Sequence, residues 1–159
     1  MKMNRINIVC LGVRDMERSV KFYRDGLGFQ TKEMGDNPGT IFFNTYGTKF
    51  SLYPLNLLTE GLSDTNPPQH VEQGVFNGTT LAFCVKSVEE VHDIIELARK
   101  AGATITKEPK SVTWKTTDGG DYTATGAYFT DPDGYYWEVS NLPGLEFDEN
   151  DMFIEIGTY

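Results

Sequence analysis

Apolar and polar positions along the chain fall into two successive strand–helix–strand patterns. Residues 6–13, Ile-Asn-Ile-Val-Cys-Leu-Gly-Val, alternate as a strand does. Val9, Leu11 and Val13 share one face; Ile8, Cys10 and Gly12 share the other. Asp15 stands at an N-cap position, and Met16, Val20, Tyr23 and Leu27 then recur at helical spacing. Gly26 and Gly28 close that helix, predicted over residues 16–26. Residues 41–46 and 49–53 read as two strands about a turn at Gly47. Residues 54–78, with Pro67-Pro68 at their middle, read as a polar, surface-exposed linker.

The pattern then restarts. In residues 79–85 the large Leu81, Phe83 and Val85 share one face, and the small Thr80, Ala82 and Cys84 the other. Ser87 and Glu90 have the spacing of a capping box. They open a helix over 88–101 with a buried stripe of Val88, Val91, Ile95 and Ala98, stopped by Gly102. Thr104–Lys107 is extended, and residues 109–124 read as a loop around Trp114 and Gly119-Gly120. Asp131-Pro132-Asp133-Gly134 between aromatic flanks is a hairpin turn: proline presets one corner, and glycine accepts positive φ at another.

The two halves match in order, so the chain reads as an internal duplication. Module 1 spans about residues 4–54, the linker about 55–78, module 2 about 79–142, and an acidic tail about 143–159. The expected fold is α+β, with two duplicated units of β-α-β-β type whose twisted sheets, with helices outside, leave a concave space. Phe50-Ser51-Leu52 corresponds to Trp137-Glu138-Val139, which makes Ile8, Ser51, Thr80 and Glu138 pseudo-equivalent positions on the cavity face. Glu138 shares its face with Tyr136 and Ser140. A lone acid in an apolar strand is costly unless it is paired, protonated, ligated or wet. On an edge strand it would simply face solvent, and the segment alone leaves both readings open.

Composition narrows the function classes. The net charge of −9, without any Lys/Arg cluster, argues against nucleic acid and anionic membranes as partners. No apolar run approaches the roughly 20 residues of a membrane span. Cys10 and Cys84 give no disulfide framework, and no signal-peptide pattern precedes the first strand, so a cytoplasmic location is expected. Both cysteines are read as small buried thiols, His92 as a surface or boundary residue, and His70 as part of the linker. Trp114 and Tyr128 are candidates to line the cavity.

Val13-Arg14-Asp15-Met16-Glu17-Arg18-Ser19, Phe22-Tyr23, Leu27-Gly28-Phe29, and Phe129 to Gly134 followed by Trp137-Glu138-Val139 together resemble the vicinal oxygen chelate superfamily. That superfamily includes glyoxalase I, bleomycin-resistance proteins and extradiol dioxygenases, and this chain looks closest to its uncharacterised glyoxalase-like members. The resemblance implies two paired βαβββ modules whose antiparallel or mixed sheets curl around a small-molecule cavity, and a homodimer. In metal-dependent members, four pseudo-equivalent positions carry His, Glu or Gln ligands. Here those positions hold Ile8, Ser51, Thr80 and Glu138, of which only Glu138 matches. The expectation is therefore a small-molecule-binding protein with no metal and no cofactor, whose ligand meets Ile8, Ser51, Thr80, Trp114, Tyr128 and Tyr136. The alternative is an enzyme on a small oxygenated substrate, lactoylglutathione lyase-like or extradiol dioxygenase-like, with Glu138 as catalytic acid/base or residual metal ligand.

Overall fold

Strand β1 (Ile8–Val13) buries Leu11 and Val13, and Asp15 then caps helix α1 (Met16–Val20) by accepting the Arg18 N–H at 3.0 Å. This computed structural model describes residues 3–154. Of the expected tail, only residues 155–159 lie outside the described residues. The chain divides into two compact units: residues up to Asn77 together with Pro132–Gly134, and Gly78–Asp131 together with Tyr135 onward.

In the first unit, α1 runs on as a π-helical stretch, Lys21–Gly26, which buries Phe22 and Tyr23. Strands β2 (Ile41–Phe43) and β3 (Lys49–Pro54) complete a sheet in the order β1-β3-β2, with β1 parallel and β2 antiparallel to β3. β2 is shorter than expected because Asn44 turns aside, its N–H donating to Gln30 O at 2.7 Å. That bond and Thr31 Oγ1 to Phe42 O at 2.8 Å lay residues 30–31 beside β2, where the βαβββ pattern expects a fourth strand. The core of the unit is aromatic: Tyr23, Phe29, Phe43 and Phe50 have neighbouring ring centroids 5.0–6.1 Å apart.

The expected linker needs correction. Its first residues form helix α2 (Leu55–Gly61), which packs on β1 at Gly12. A Cβ at Gly12 would stand 2.7 Å from Leu55 Cδ1, so glycine is what permits this approach. Leu55, Leu58 and Leu62 carried too short an apolar pattern to stand out from the polar stretch around them. The remainder of the segment is exposed but anchored, with Arg14 Nη2 donating to Val71 O at 2.6 Å and Gln73 Nε2 to Pro132 O at 3.0 Å.

In the second unit, β4 (Thr80–Val85), β5 (Thr104–Lys115), β6 (Asp121–Thr130) and β7 (Tyr136–Asn141) form one sheet in the order β4-β7-β6-β5. Helix α3 (Val88–Ala101) has the capping box of Ser87 and Glu90 and ends at Gly102 with φ 99°. Val91, Ile95 and Ala98 are buried, and α3 packs against β5, β6 and β7. The buried Ala127, Phe129, Trp137 and Val139 form the matching sheet face. Val88, expected in the buried stripe, is 39% exposed because it stands in the first turn.

Residues 109–124, expected as a loop, are mostly strand. β5 and β6 run on past the end of β7 as a two-stranded ribbon, and only residues 116–120 turn. The ribbon has strand periodicity, with Val112, Trp114, Tyr122 and Ala124 on one face and Ser111, Thr113, Thr123 and Thr125 on the other. The hydroxyls of that second face pair at 2.7 and 2.8 Å. Among the described residues, no helix is long and apolar enough to cross a membrane.

Candidate functional site

The sheet of the second unit has one face covered by α3 and one free of helix. Three rows of cross-strand neighbours run over the free face: Thr104, Thr130, Tyr136 and Thr80; then Lys107, Tyr128, Glu138 and Ala82; then Lys110, Gly126, Ser140 and Cys84. The antiparallel register of β6 and β7 puts Tyr128 opposite Glu138. β7 lies between β4 and β6, which excludes the edge-strand reading of Glu138. Its carboxylate is half-buried and stands directly across from the Tyr128 side chain. On the other side of the Tyr128 ring, Lys107 Nζ lies 5.4 Å from the ring centroid.

Burial first, and then the negative charge of Glu138, raise the Tyr128 phenol above its ordinary value of 10.0. A folded-state value above the unfolded one gives a contribution to stability that is complete below pH 10.0 and is lost as pH rises through the folded-state value. Glu138→Gln removes the charge but leaves the burial. In an alkaline titration followed by tyrosinate absorbance, with Tyr128→Phe identifying the transition, Glu138→Gln is expected to lower the midpoint of Tyr128 part of the way. An unmoved midpoint would show that the two side chains are not coupled.

The register also supplies an internal check on the duplication. Cys10 pairs with Ser51 in the first unit as Ala82 pairs with Glu138 in the second, and Ile8 and Thr80 each stand two residues earlier. Within the second unit Thr80 is exposed and lies beside Tyr136, while Tyr136, Tyr128 and Glu138 are half-buried on the same face. Trp114 is 51% exposed on the ribbon, 6.2 Å from Tyr122. In the first unit Ile8 is 50% exposed at the start of β1, whereas Ser51 is closed off at 2%. The cysteines differ from expectation: Cys10 is exposed, and Cys84 is half-buried with Sγ 3.5 Å from Ser140 Oγ. His92 and His70 are both exposed.

Sequence reading missed two groups. Lys107 and Lys110 reach the free face only through irregularities in β5; Pro109 inside a strand was the available signal. The second group surrounds Asp133 in the first unit. Its buried carboxylate accepts from Arg14 N–H at 2.9 Å and Ser19 Oγ at 3.1 Å, and it pairs with Arg14 Nη1 at 3.6 Å and Arg18 Nη2 at 3.1 Å. A separate cavity of about 210 Å³ lies beside β4 and the start of α3, lined by Cys84, Lys86, Glu90, Asp93 and Asp151 among others. Lys86 and Asp151 form an ion pair there, and none of the expected site residues lines that cavity.

A family model described as the glyoxalase/bleomycin resistance protein/dioxygenase superfamily matches residues 5–139, and the chain belongs to that superfamily. Among curated proteins it is similar to a lactoylglutathione lyase of Haemophilus influenzae, 28% identical over 128 residues that cover 79% of this chain and 83% of the relative. A solved glyoxalase-related enzyme from Fulvimarina pelagi has the same fold, with a TM-score of 0.75 at 22% identity over 98% of this chain and 100% of that one. A glyoxalase/bleomycin resistance protein/dioxygenase from Nocardioides aligns with a TM-score of 0.68 at 25% identity, covering 91% of this chain and 87% of that chain.

The positions expected from the resemblance to match the superfamily's metal ligands hold Ile8, Ser51, Thr80 and Glu138. Ile8 has no donor atom, Ser51 and Thr80 offer neutral hydroxyls, and Glu138 alone is a carboxylate. That set does not fit Zn²⁺, Ni²⁺ or Fe²⁺, which take three or four His, Cys or carboxylate ligands. Among the described residues, no three His, Cys, Asp or Glu side chains gather into a metal-binding group.

Proposed function

We propose that this chain is a glyoxalase-like protein that binds a small molecule on the helix-free face of its second unit without a resident metal ion. The observation that carries this reading is the arrangement around Glu138. A carboxylate on an interior strand stands opposite Tyr128, with Tyr136 and Thr80 in the next row of the same face, at the position where metal-dependent members keep a ligand. The aromatic rings offer stacking surface, and the carboxylate accepts a hydrogen bond from a donor group on the ligand. Trp114 extends the aromatic surface along the ribbon, whereas Ile8 and Ser51 belong to the first unit, where Ser51 is closed off.

A second reading makes the protein an enzyme of lactoylglutathione lyase-like or extradiol dioxygenase-like type, in which Glu138 moves a proton on a small oxygenated substrate or serves as a residual metal ligand. The similarity to the Haemophilus influenzae lyase favours it. Elemental analysis of the purified protein, followed by calorimetric titration with Zn²⁺, Ni²⁺, Fe²⁺ and Mn²⁺, separates the two. The binding-protein reading expects substoichiometric metal and no specific site. Stoichiometric metal that disappears in Glu138→Gln overturns it in favour of the enzyme.

We further propose a cytoplasmic homodimer without nucleic-acid or membrane partners. Sedimentation at micromolar concentration tests the dimer, and a single 17.9 kDa species would refute it.

A further inference from the structure

β5 holds two register shifts, and together they sort its charges between the two faces of the sheet. Pairing runs Thr104 with Thr130 and Ile105 with Phe129, then shifts so that Lys107 faces Tyr128, and shifts again so that Lys110 faces Gly126. Bulges re-aim side chains in this way and are frequent beside functional sites. The one acid of the segment goes to the opposite face. Glu108 accepts from Arg99 Nη2 of α3 at 2.8 and 3.0 Å. Lys107 and Lys110 are thereby left on the face of Tyr128 and Glu138, and in a chain of net charge −9 they form a local positive pair. Directly opposite Lys110, Gly126 leaves the sheet bare: a Cβ there would meet only a backbone oxygen, at 4.0 Å. The same face continues through Val112 and Ala124 to Trp114 and Tyr122.

We propose that Lys107 and Lys110 make this face selective for a small aromatic carboxylate. The carboxylate lies between the two ammonium groups, and the ring stacks over Gly126 against Tyr128 or toward Trp114. The inference rests on the binding-face reading above and adds the charge and aromatic character of the ligand. Lysines and a proline on an edge strand also block pairing with a neighbouring strand, so the test separates the two roles.

The full chain is titrated with benzoate and with its neutral isostere benzamide, by calorimetry and by ligand-observed saturation-transfer NMR. Benzoate is expected to bind more tightly than benzamide and to weaken as salt is added, because exposed charge pairs are screened. Lys107→Gln and Lys110→Gln are each expected to lower benzoate affinity about fivefold, the scale of one partly exposed ion pair. Both should leave benzamide unchanged, and Lys100→Gln, on the exposed side of α3, should change neither. Equal affinity for the two probes, unaffected by the lysine variants but weakened by Tyr128→Phe, overturns the anion selectivity and leaves the binding face standing. Failure of both probes to bind overturns both. Lysine variants that bind benzoate normally but self-associate identify edge guards and also refute the proposal.

Discussion

Phe43→Ala is expected to destabilise the protein by about 4 kcal/mol, the usual scale for removing a fully buried phenylalanine. Phe43 is 0% exposed and lies within 5.5–6.1 Å of the rings of Tyr23, Phe29 and Phe50. The loss therefore combines transfer of a large apolar side chain with a cavity that the two strands, the helical stretch and the Phe29 segment around it cannot close. Its neighbour Phe42 is 53% exposed on the opposite face of β2, and Phe42→Ala is expected to cost less than about 1 kcal/mol. Denaturant titration of both variants followed by circular dichroism makes the comparison. Similar costs at the two positions would mean that β2 does not have this register.

Asp133→Ala is expected to cost about 3 kcal/mol. The substitution strands a backbone N–H at Arg14 and a buried hydroxyl at Ser19, and it leaves Arg14 and Arg18 without their shared anion. Asp133 has a fully buried side chain, so water does not replace these bonds as it does at an exposed ion pair. The partners act as one network, and a double-mutant cycle with Ser19→Ala should show coupling above about 0.5 kcal/mol. Strict additivity of the two substitutions, or a near-neutral Asp133→Ala, would refute the anchoring role.

Much of the candidate site was legible before any coordinates, because its determinants are local. Alternation in Tyr136 to Ser140 already put Glu138 and Tyr136 on one face, and the duplicated order singled out Thr80 as the position matching Ile8. The edge-or-interior status of β7 was not legible, since strand order in a sheet depends on partners far along the chain. The burial of Ser51 at 2%, against 50% exposure at Ile8, was equally invisible, because both positions look alike in a strand pattern. Lys107 and Lys110 escaped for a related reason: a bulge is decided by how two strands settle against each other.

The sequence by itself determined the elements whose signals lie within one turn or one strand. The Ser87–Glu90 capping box with Gly102 set both ends of α3, Asp15 set the start of α1, and Asp-Pro-Asp-Gly set the turn before β7. In each, a side chain satisfies backbone groups a few residues away, so the information is short-range. Tertiary structure decided what depends on distant partners. Asp133 meets Arg14 and Ser19 across 119 and 114 residues, α2 forms where Gly12 leaves room for Leu55, and the 109–124 segment became a ribbon because each strand completes the other's hydrogen bonds. Contacts of that range are selected by packing of the whole chain, and no window of sequence contains both sides of them.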